Sequence, residues 1–357
     1  MGLNPDFWRG RKVLITGHTG FKGSWASLWL MSFGAEVVGY SIGVPTKPSL
    51  FELALVREGL THLEGDVRAG RQLAQAVERH RPEVVVHMAA QSLVRRSYRE
   101  PVETFETNVL GTVNVLEAAR VGGVRVVVNV TSDKCYADTG SVPHREEDPK
   151  GGSDPYSASK ACAEIVSDAY RTAFLDNQGP ALASVRAGNV IGGGDWGEDR
   201  LVGDVMTAAL ERRTVLLRNP DAVRPWQHVL NPLEGYLLLA ERLWDDRSFV
   251  GGWNFGPDEA DERPVRDVVA RIAELWGDGL AWVQDAGKQP HERHVLRLDS
   301  SRARDRLGWA PRWDLEQAIE NVVDWYRAYQ AGEDVRGVAL DQIEAYEAER
   351  SASSPAP

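Results

Sequence analysis

Two short segments carry residue types from which acid–base chemistry on a hydroxyl-bearing substrate could be built. In one, Tyr156 and Lys160 stand four residues apart behind Asp154-Pro155, the grammar of a helix start with aspartate as the cap and proline in the first turn. The spacing puts phenol and ammonium on one helix face. A free phenol ionises near pKa ~10, so a tyrosine base needs help, and Lys160 with the helix dipole is expected to favour the phenolate. In the other, Ser132, Asp133 and Lys134 follow a valine run that ends at Val130. This is the carboxyl end of a strand, where open α/β sheets bind ligands. Ser132 and Tyr156 are expected on one substrate oxygen. Asp133 and Lys134 add a neighbouring carboxylate and amine, and an ammonium must be desolvated or set near positive charge to act as a base. The adjacent carboxylate pulls the other way, so the apparent pKa values belong to the pair.

These side chains need a scaffold, and the first half of the chain supplies one. Val13-Leu14-Ile15, Val37-Val38, Val84-Val85-Val86 and Val126-Val127-Val128 read as buried strands, separated by helical segments at Ser24–Phe33, Arg71–His80 and Val102–Arg120. The alternation predicts an α/β, Rossmann-like doubly wound parallel sheet covered by helices on both faces. Directly after the first strand comes Gly17-His18-Thr19-Gly20-Phe21-Lys22-Gly23. A GxxGxxG run opening a helix lets a pyrophosphate approach the backbone and rest on free N–H groups at the helix start. The second strand ends in Gly39-Tyr40-Ser41 with neither a carboxylate for a ribose nor an arginine for a 2′-phosphate, so the pattern leaves NAD against NADP open. Ser41 is expected to bond the ribose weakly, and Asp66, in Gly65-Asp66-Val67, to meet the adenine edge or cap a helix.

Apolar residues make up 43% and charged residues 26% of 357, a globular balance without a run near the ~20 residues of a membrane helix. The net charge of −11 has the wrong sign for nucleic acid or anionic lipid. Two cysteines, Cys135 and Cys162, make neither a disulfide scaffold nor a thiol metal site; no metal is expected, and a reducing cytoplasm fits. Nine of the twelve tryptophans lie from Trp196 onward, among glycine clusters such as Gly192-Gly193-Gly194. Residues 1–180 are therefore read as the cofactor domain with the catalytic groups and 181–345 as a loop-rich substrate region with segments returning to the sheet. Residues 346–357, ending in SASSPAP, are read as a disordered tail. Guanidinium forks suit a diphosphate, and Arg218 and Arg224, flanking Asn219-Pro220, are the candidates in that region.

The glycine run, Ser132 and the Tyr156/Lys160 pair resemble the extended short-chain dehydrogenase/reductase family. Within it, the chain is similar to the CDP-glucose 4,6-dehydratases through GHTGFKGSW (Gly17 to Trp25), HMAAQSLVRRSY (His87 to Tyr98), TSDKCY (Thr131 to Tyr136), RAGNVIGGGDW (Arg186 to Trp196) and RPWQHVL (Arg224 to Leu230). The resemblance implies NAD along Gly17, Gly20, Phe21 and Gly23, past Asp66 and Val67, with Ala89, Ala90 and Gln91 lining its course and Tyr156 and Lys160 at its reacting end. It also implies Asn189 near a nucleotide-sugar substrate, a homodimer joined through helices, and loss of water from the sugar by internal hydride transfer. His291-Glu292 is a further candidate for closing the pocket. For that water loss the resemblance implies Asp133 as the candidate acid and Lys134 as the candidate base, an Asp-Lys pair that departs from the Asp-Glu of dTDP-glucose dehydratases, so the pair does not name the sugar nucleotide. A nucleotide-sugar 4-epimerase is the alternative, and it needs no second acid–base pair.

Overall fold

The buried valine runs form one sheet because both of its faces are covered. The computed structural model describes all residues except Met1, Thr139, Ser141, 176–178, Asp278, Ala286, 288–294 and 354–357. Its strands are β1 (Lys12–Thr16), β2 (Glu36–Ser41), β3 (Thr61–Glu64), β4 (Val84–His87), β5 (Val126–Val130), β6 (Ala181–Ala187), β7 (Asn189–Ile191), β8 (Val215–Leu217), β9 (Val223–His228), β10 (Gly251–Phe255), β11 (Glu262–Pro264) and β12 (Trp282–Gln284). Seven of them make a parallel sheet in the order β10-β6-β5-β4-β1-β2-β3. The order reverses at β1, and ligands of such sheets bind at the carboxyl ends beside that reversal.

Alternation along the strands divides the core. Val13, Ile15, Val84, Val86, Val126 and Val128 face one cluster, whereas Leu14, Val85 and Val127 face another under the helices Gly70–His80 and Gly111–Val121. The larger cluster also takes residues from the second half, including Trp253, Trp309, Trp313 and Trp325, so most of the late tryptophans pack the core. β6 and β10 belong to the seven-stranded sheet, while β7, β9 and β11 form a three-stranded sheet and β8 pairs β12. Residues 1–180 and 181–345 thus share a sheet and a core.

The tail expectation is corrected. The last helix spans Val335–Ser353, and Tyr346 is fully buried, its hydroxyl donating to Glu234 Oε2 at 3.1 Å. An aromatic edge against Trp29 and Trp313 anchors a segment whose final residues look featureless. Residues 354–357 of that tail, and the His291-Glu292 candidate, lie outside the described residues. No described helix is long and apolar enough to cross a membrane.

Candidate active site

A cavity of about 1040 Å³ opens over the carboxyl ends of the sheet, from the glycine loop to Arg218. Its glycine wall is shaped for a close-lying ligand backbone. Gly17 has φ +78°, and a Cβ there would sit 2.7 Å from the Ala89 nitrogen; one on Gly23 would sit 2.2 Å from the Gly17 carbonyl. Gly20 caps the helix Phe21–Ser32 without a side-chain hydrogen bond, leaving first-turn N–H groups for an anion. Thr16 Oγ1 accepts from Met88 and Ala89 N, both at 3.2 Å, and so shapes the Ala89-Ala90-Gln91 wall. These groups fit a dinucleotide pyrophosphate, and Phe21, Asp66, Val67, Ala89, Ala90 and Gln91 all line the cavity.

The adenosine-side expectations need one correction. Ser41 Oγ is engaged by His18 Nδ1 at 2.8 Å, and His18 Nε2 continues to His62 Nδ1 at 2.8 Å. Burial, reinforced by the His62 charge, pushes His18 down to about 4. A buried hydrogen-bond chain thus occupies the serine assigned to the ribose. Asp66 accepts from Arg68 N at 2.8 Å and pairs with its guanidinium. Burial pushes the Asp66 carboxyl up, but the Arg68 hydrogen bonds outweigh it and leave it below the ordinary range.

At the other end of the cavity the reactive side chains meet. Asp154 accepts from Ser157 N and caps the helix Pro155–Phe174, as its sequence dictates, and Asn108 ties that helix to the cofactor wall. The Asn108 amide donates to Ser159 Oγ and the Gln91 carbonyl and accepts from Gln91 N. Asn108 was not legible as a site residue because its role is a tertiary bridge. Ser132 Oγ donates to Asp133 Oδ1 at 3.0 Å and accepts from Lys134 N at 3.2 Å. Lys134 Nζ donates to the same Asp133 oxygen at 3.3 Å. Asp133 is 1% exposed, and its Oδ2 has no hydrogen-bond partner among the described residues. It is a buried acceptor beside Tyr156 in the cavity wall, the kind of group a ligand hydroxyl completes.

The support that Lys160 is expected to give a Tyr156 phenolate is corrected. Burial pushes the Tyr156 phenol up, and Lys134, then Ser132, are the largest opposing influences. Lys160 does not lead them: its Nζ donates to the Val130 carbonyl at 3.1 Å, and burial pushes it down to about 8 against the pull of Glu164. Helix spacing placed both groups on one face, but it could not show that the carbonyl of β5 takes the ammonium.

The substrate side is more open. Asn189 and Arg218 line the cavity, as do Asp195, Arg95 and Arg200. Arg218 pairs with Asp199 and lies 3.8 Å from Asp204. Arg200 Nη2 donates to Ser92 Oγ at 2.9 Å, bridging the late glycine loop to the segment after β4. Arg224 is different. It is 4% exposed in β9, its Nη1 donates to the Val223 carbonyl, and it is not among the lining residues. Its burial within the three-stranded sheet, rather than its charge, fixes where it lies. Sequence reading also passed over Lys22, which lines the cavity from the first turn of its helix. Burial, then the Arg200 charge, pushes it down to about 7; its place inside the glycine motif was the available signal.

The family model described as GDP-mannose 4,6 dehydratase matches residues 14–322. The chain belongs to this family. Among its relatives, a CDP-glucose 4,6-dehydratase of Salmonella typhimurium is 47% identical over 352 residues, spanning 96% of this chain and 98% of that protein. A dTDP-glucose 4,6-dehydratase of Streptomyces venezuelae, solved with NAD and TYD bound, superposes with a TM-score of 0.78 at 25% identity, covering 91% of this chain and 99% of that one. A UDP-glucose 4-epimerase of Thermus thermophilus in complex with NAD gives 0.76 at 27% identity over 88% and 99%. The same fold is thus shared with a 4,6-dehydratase and with a 4-epimerase.

Proposed function

We propose that this protein is an NAD-dependent CDP-glucose 4,6-dehydratase, converting CDP-D-glucose to CDP-4-dehydro-6-deoxy-D-glucose and water. The observation that carries the reading is the buried Asp133 carboxyl, held to Lys134 on one oxygen and without a partner among the described residues on the other, beside Ser132 and Tyr156. Epimerisation at C4 has no use for that second pair; removal of a hydroxyl from C6 does. The near-full-length likeness to a CDP-glucose 4,6-dehydratase supports the choice of donor.

NAD, which Gly17, Gly20, Gly23, Ala89, Ala90 and Gln91 would hold, would supply the hydride chemistry between C4 and C6 when bound. Tyr156, assisted by Ser132, accepts the proton of the C4 hydroxyl. The resulting C4 ketone acidifies the C5 hydrogen, which Lys134 removes as a proton. Asp133 protonates the departing C6 hydroxyl, and water leaves. Lys134 then returns its proton to C5 as the sugar is reduced at C6. Lys134 Nζ and Asp133 Oδ1 lie 3.3 Å apart, close enough to pass a proton between them.

Asn189 and Arg218 hold the nucleotide sugar, and Arg200 and Arg95 add positive charge beside its diphosphate. The functional unit is a homodimer joined through the helices that follow β4 and precede β6, where Val102, Leu110, Val121, Ile165 and Phe174 stay more than half exposed. The free thiols Cys135 and Cys162 suit a reducing cytoplasm. The test is a panel of CDP-, dTDP-, GDP- and UDP-glucose with NAD. Preference for CDP-glucose and a product lighter by one water support the reading; an epimer of unchanged mass overturns it.

A further inference from the structure

Beneath the two acid–base pairs lies a charge pair that the reaction does not touch. Glu164 and Arg186 are 0% and 2% exposed, and Nε and Nη2 of Arg186 donate to the two Glu164 oxygens at 2.8 and 2.7 Å. Burial pushes the Glu164 carboxyl up, but Arg186 outweighs it and keeps it charged. A desolvated ion pair adds little stability over an apolar replacement, so where it sits is the informative property. Glu164 stands on the catalytic helix one turn after Lys160 and two after Tyr156. It accepts from the hydroxyl of Thr131, the residue before Ser132. Arg186, in β6, donates Nη1 to the Tyr136 hydroxyl at 2.6 Å and to the Glu146 carbonyl at 3.2 Å. Tyr136 closes the Asp133–Cys135 turn, and its hydroxyl donates to Asn254 Oδ1 at 2.6 Å. The charge pair therefore grips segment 131–136 at both ends and the catalytic helix at a third point.

We propose that Glu164 and Arg186 are positioning residues that fix the Asp133–Lys134 couple against Tyr156 and Lys160. The inference rests on the two-pair reaction above and adds residues that touch neither substrate nor cofactor. Tyr156 and Lys160 serve the oxidation at C4, whereas Asp133 and Lys134 serve the elimination across C5 and C6. One sugar ring must satisfy both, so the distance between the pairs matters as much as each pair's own geometry. The same carboxylate acts on Lys160. The groups facing that ammonium are Glu164 on its own helix, the Cys135 thiol from the turn, Lys22 from the glycine-loop helix, His87 from β4, and the Val130 carbonyl. Glu164 is the largest influence opposing the burial that pushes Lys160 down to about 8. Removing its charge moves Lys160 lower, and the ammonium is then lost at a lower pH.

The test compares wild type with Glu164→Gln, Thr131→Val and Tyr136→Phe on CDP-glucose with NAD, with and without deuterium at C5. For Glu164→Gln the expected result is kcat lower by roughly ten- to a hundredfold at little-changed KM, the cost of a misplaced reacting group. The C5 isotope effect should be larger, because elimination becomes rate-limiting, and the alkaline limb of kcat should move to lower pH. Thr131→Val and Tyr136→Phe, which cut one strap each, should raise the isotope effect in the same direction. A folded Glu164→Gln with unchanged kcat, or with reduced activity but an unmoved alkaline limb and isotope effect, overturns the proposal. Should Glu164→Gln not fold, an unchanged isotope effect in both other variants overturns it. A wild-type product that has lost no water fails the reaction reading instead, and is seen before any variant is made.

Discussion

The two walls of the cavity are built by opposite rules. The wall from β5 and the helix Pro155–Phe174 is dry: Asp133, Ser159, Lys160, Glu164 and Arg186 are each less than a tenth exposed, and backbone or buried partners hold Lys160, Glu164 and Ser159. The wall from the late glycine loop and Arg218 is wet. It is laced by pairs such as Arg218 with Asp199 and Arg99 with Glu198, the latter 3.8 Å apart with side chains 57% and 72% exposed. Buried groups with fixed partners keep reacting atoms in register, whereas exposed ion pairs are worth little to the fold and exchange readily. The proposed function thus places chemistry on the rigid wall and recognition of a charged nucleotide on the exchangeable one.

If the division holds, the largest effect comes from the dry wall. Asp133→Asn should lower kcat for water loss by about 10³-fold, within the range for removing a positioned general acid, while binding of CDP-glucose in calorimetry stays close to wild type. Next comes the cofactor cradle: Gly17→Ala meets both a φ of +78° and a 2.7 Å contact with Ala89. Its NAD affinity, read by fluorescence titration, should fall by at least tenfold, a loss of about 1.4 kcal/mol. Retained affinity would mean that the pyrophosphate does not lie along this loop.

On the wet wall, Arg218→Ala should raise KM for the nucleotide sugar about tenfold, as for a lost charge-assisted hydrogen bond, with kcat and melting temperature nearly unchanged. A drop in kcat as large as that of Asp133→Asn would erase the contrast between the walls. The pH profile sharpens it from the other side. Lys160 is an ammonium below about 8, so kcat should hold at neutral pH and fall as pH rises through that value. The smallest effect belongs to Arg99→Ala, where loss of an exposed pair should shift stability by less than about 1 kcal/mol in denaturant titration.

Legibility followed the same division in part. Unbroken valine runs announced the sheet, the cap at Asp154 placed the catalytic helix, and Ser132, Asp133, Lys134, Tyr156 and Lys160 do line one cavity. Local spacing sufficed because each group sits at the end of a strand or the start of a helix. What local spacing could not carry was the partner of each polar atom across the fold. Ser41 is taken by His18 and Lys160 by a β5 carbonyl, while Asn108 and Arg186 act through residues tens of positions away. The packing of Tyr346 and the burial of Arg224 escaped notice for the same reason: composition reports that a residue is aromatic or charged, and only tertiary contacts report what surrounds it.

The central claim, that hydride leaves C4 and returns to C6 around an elimination run by Asp133 and Lys134, is tested most directly with CDP-glucose carrying deuterium at C4. The expected result is a 4-keto product one water lighter, with the deuterium on C6. A product in which the label remains at C4 or is lost to solvent contradicts it.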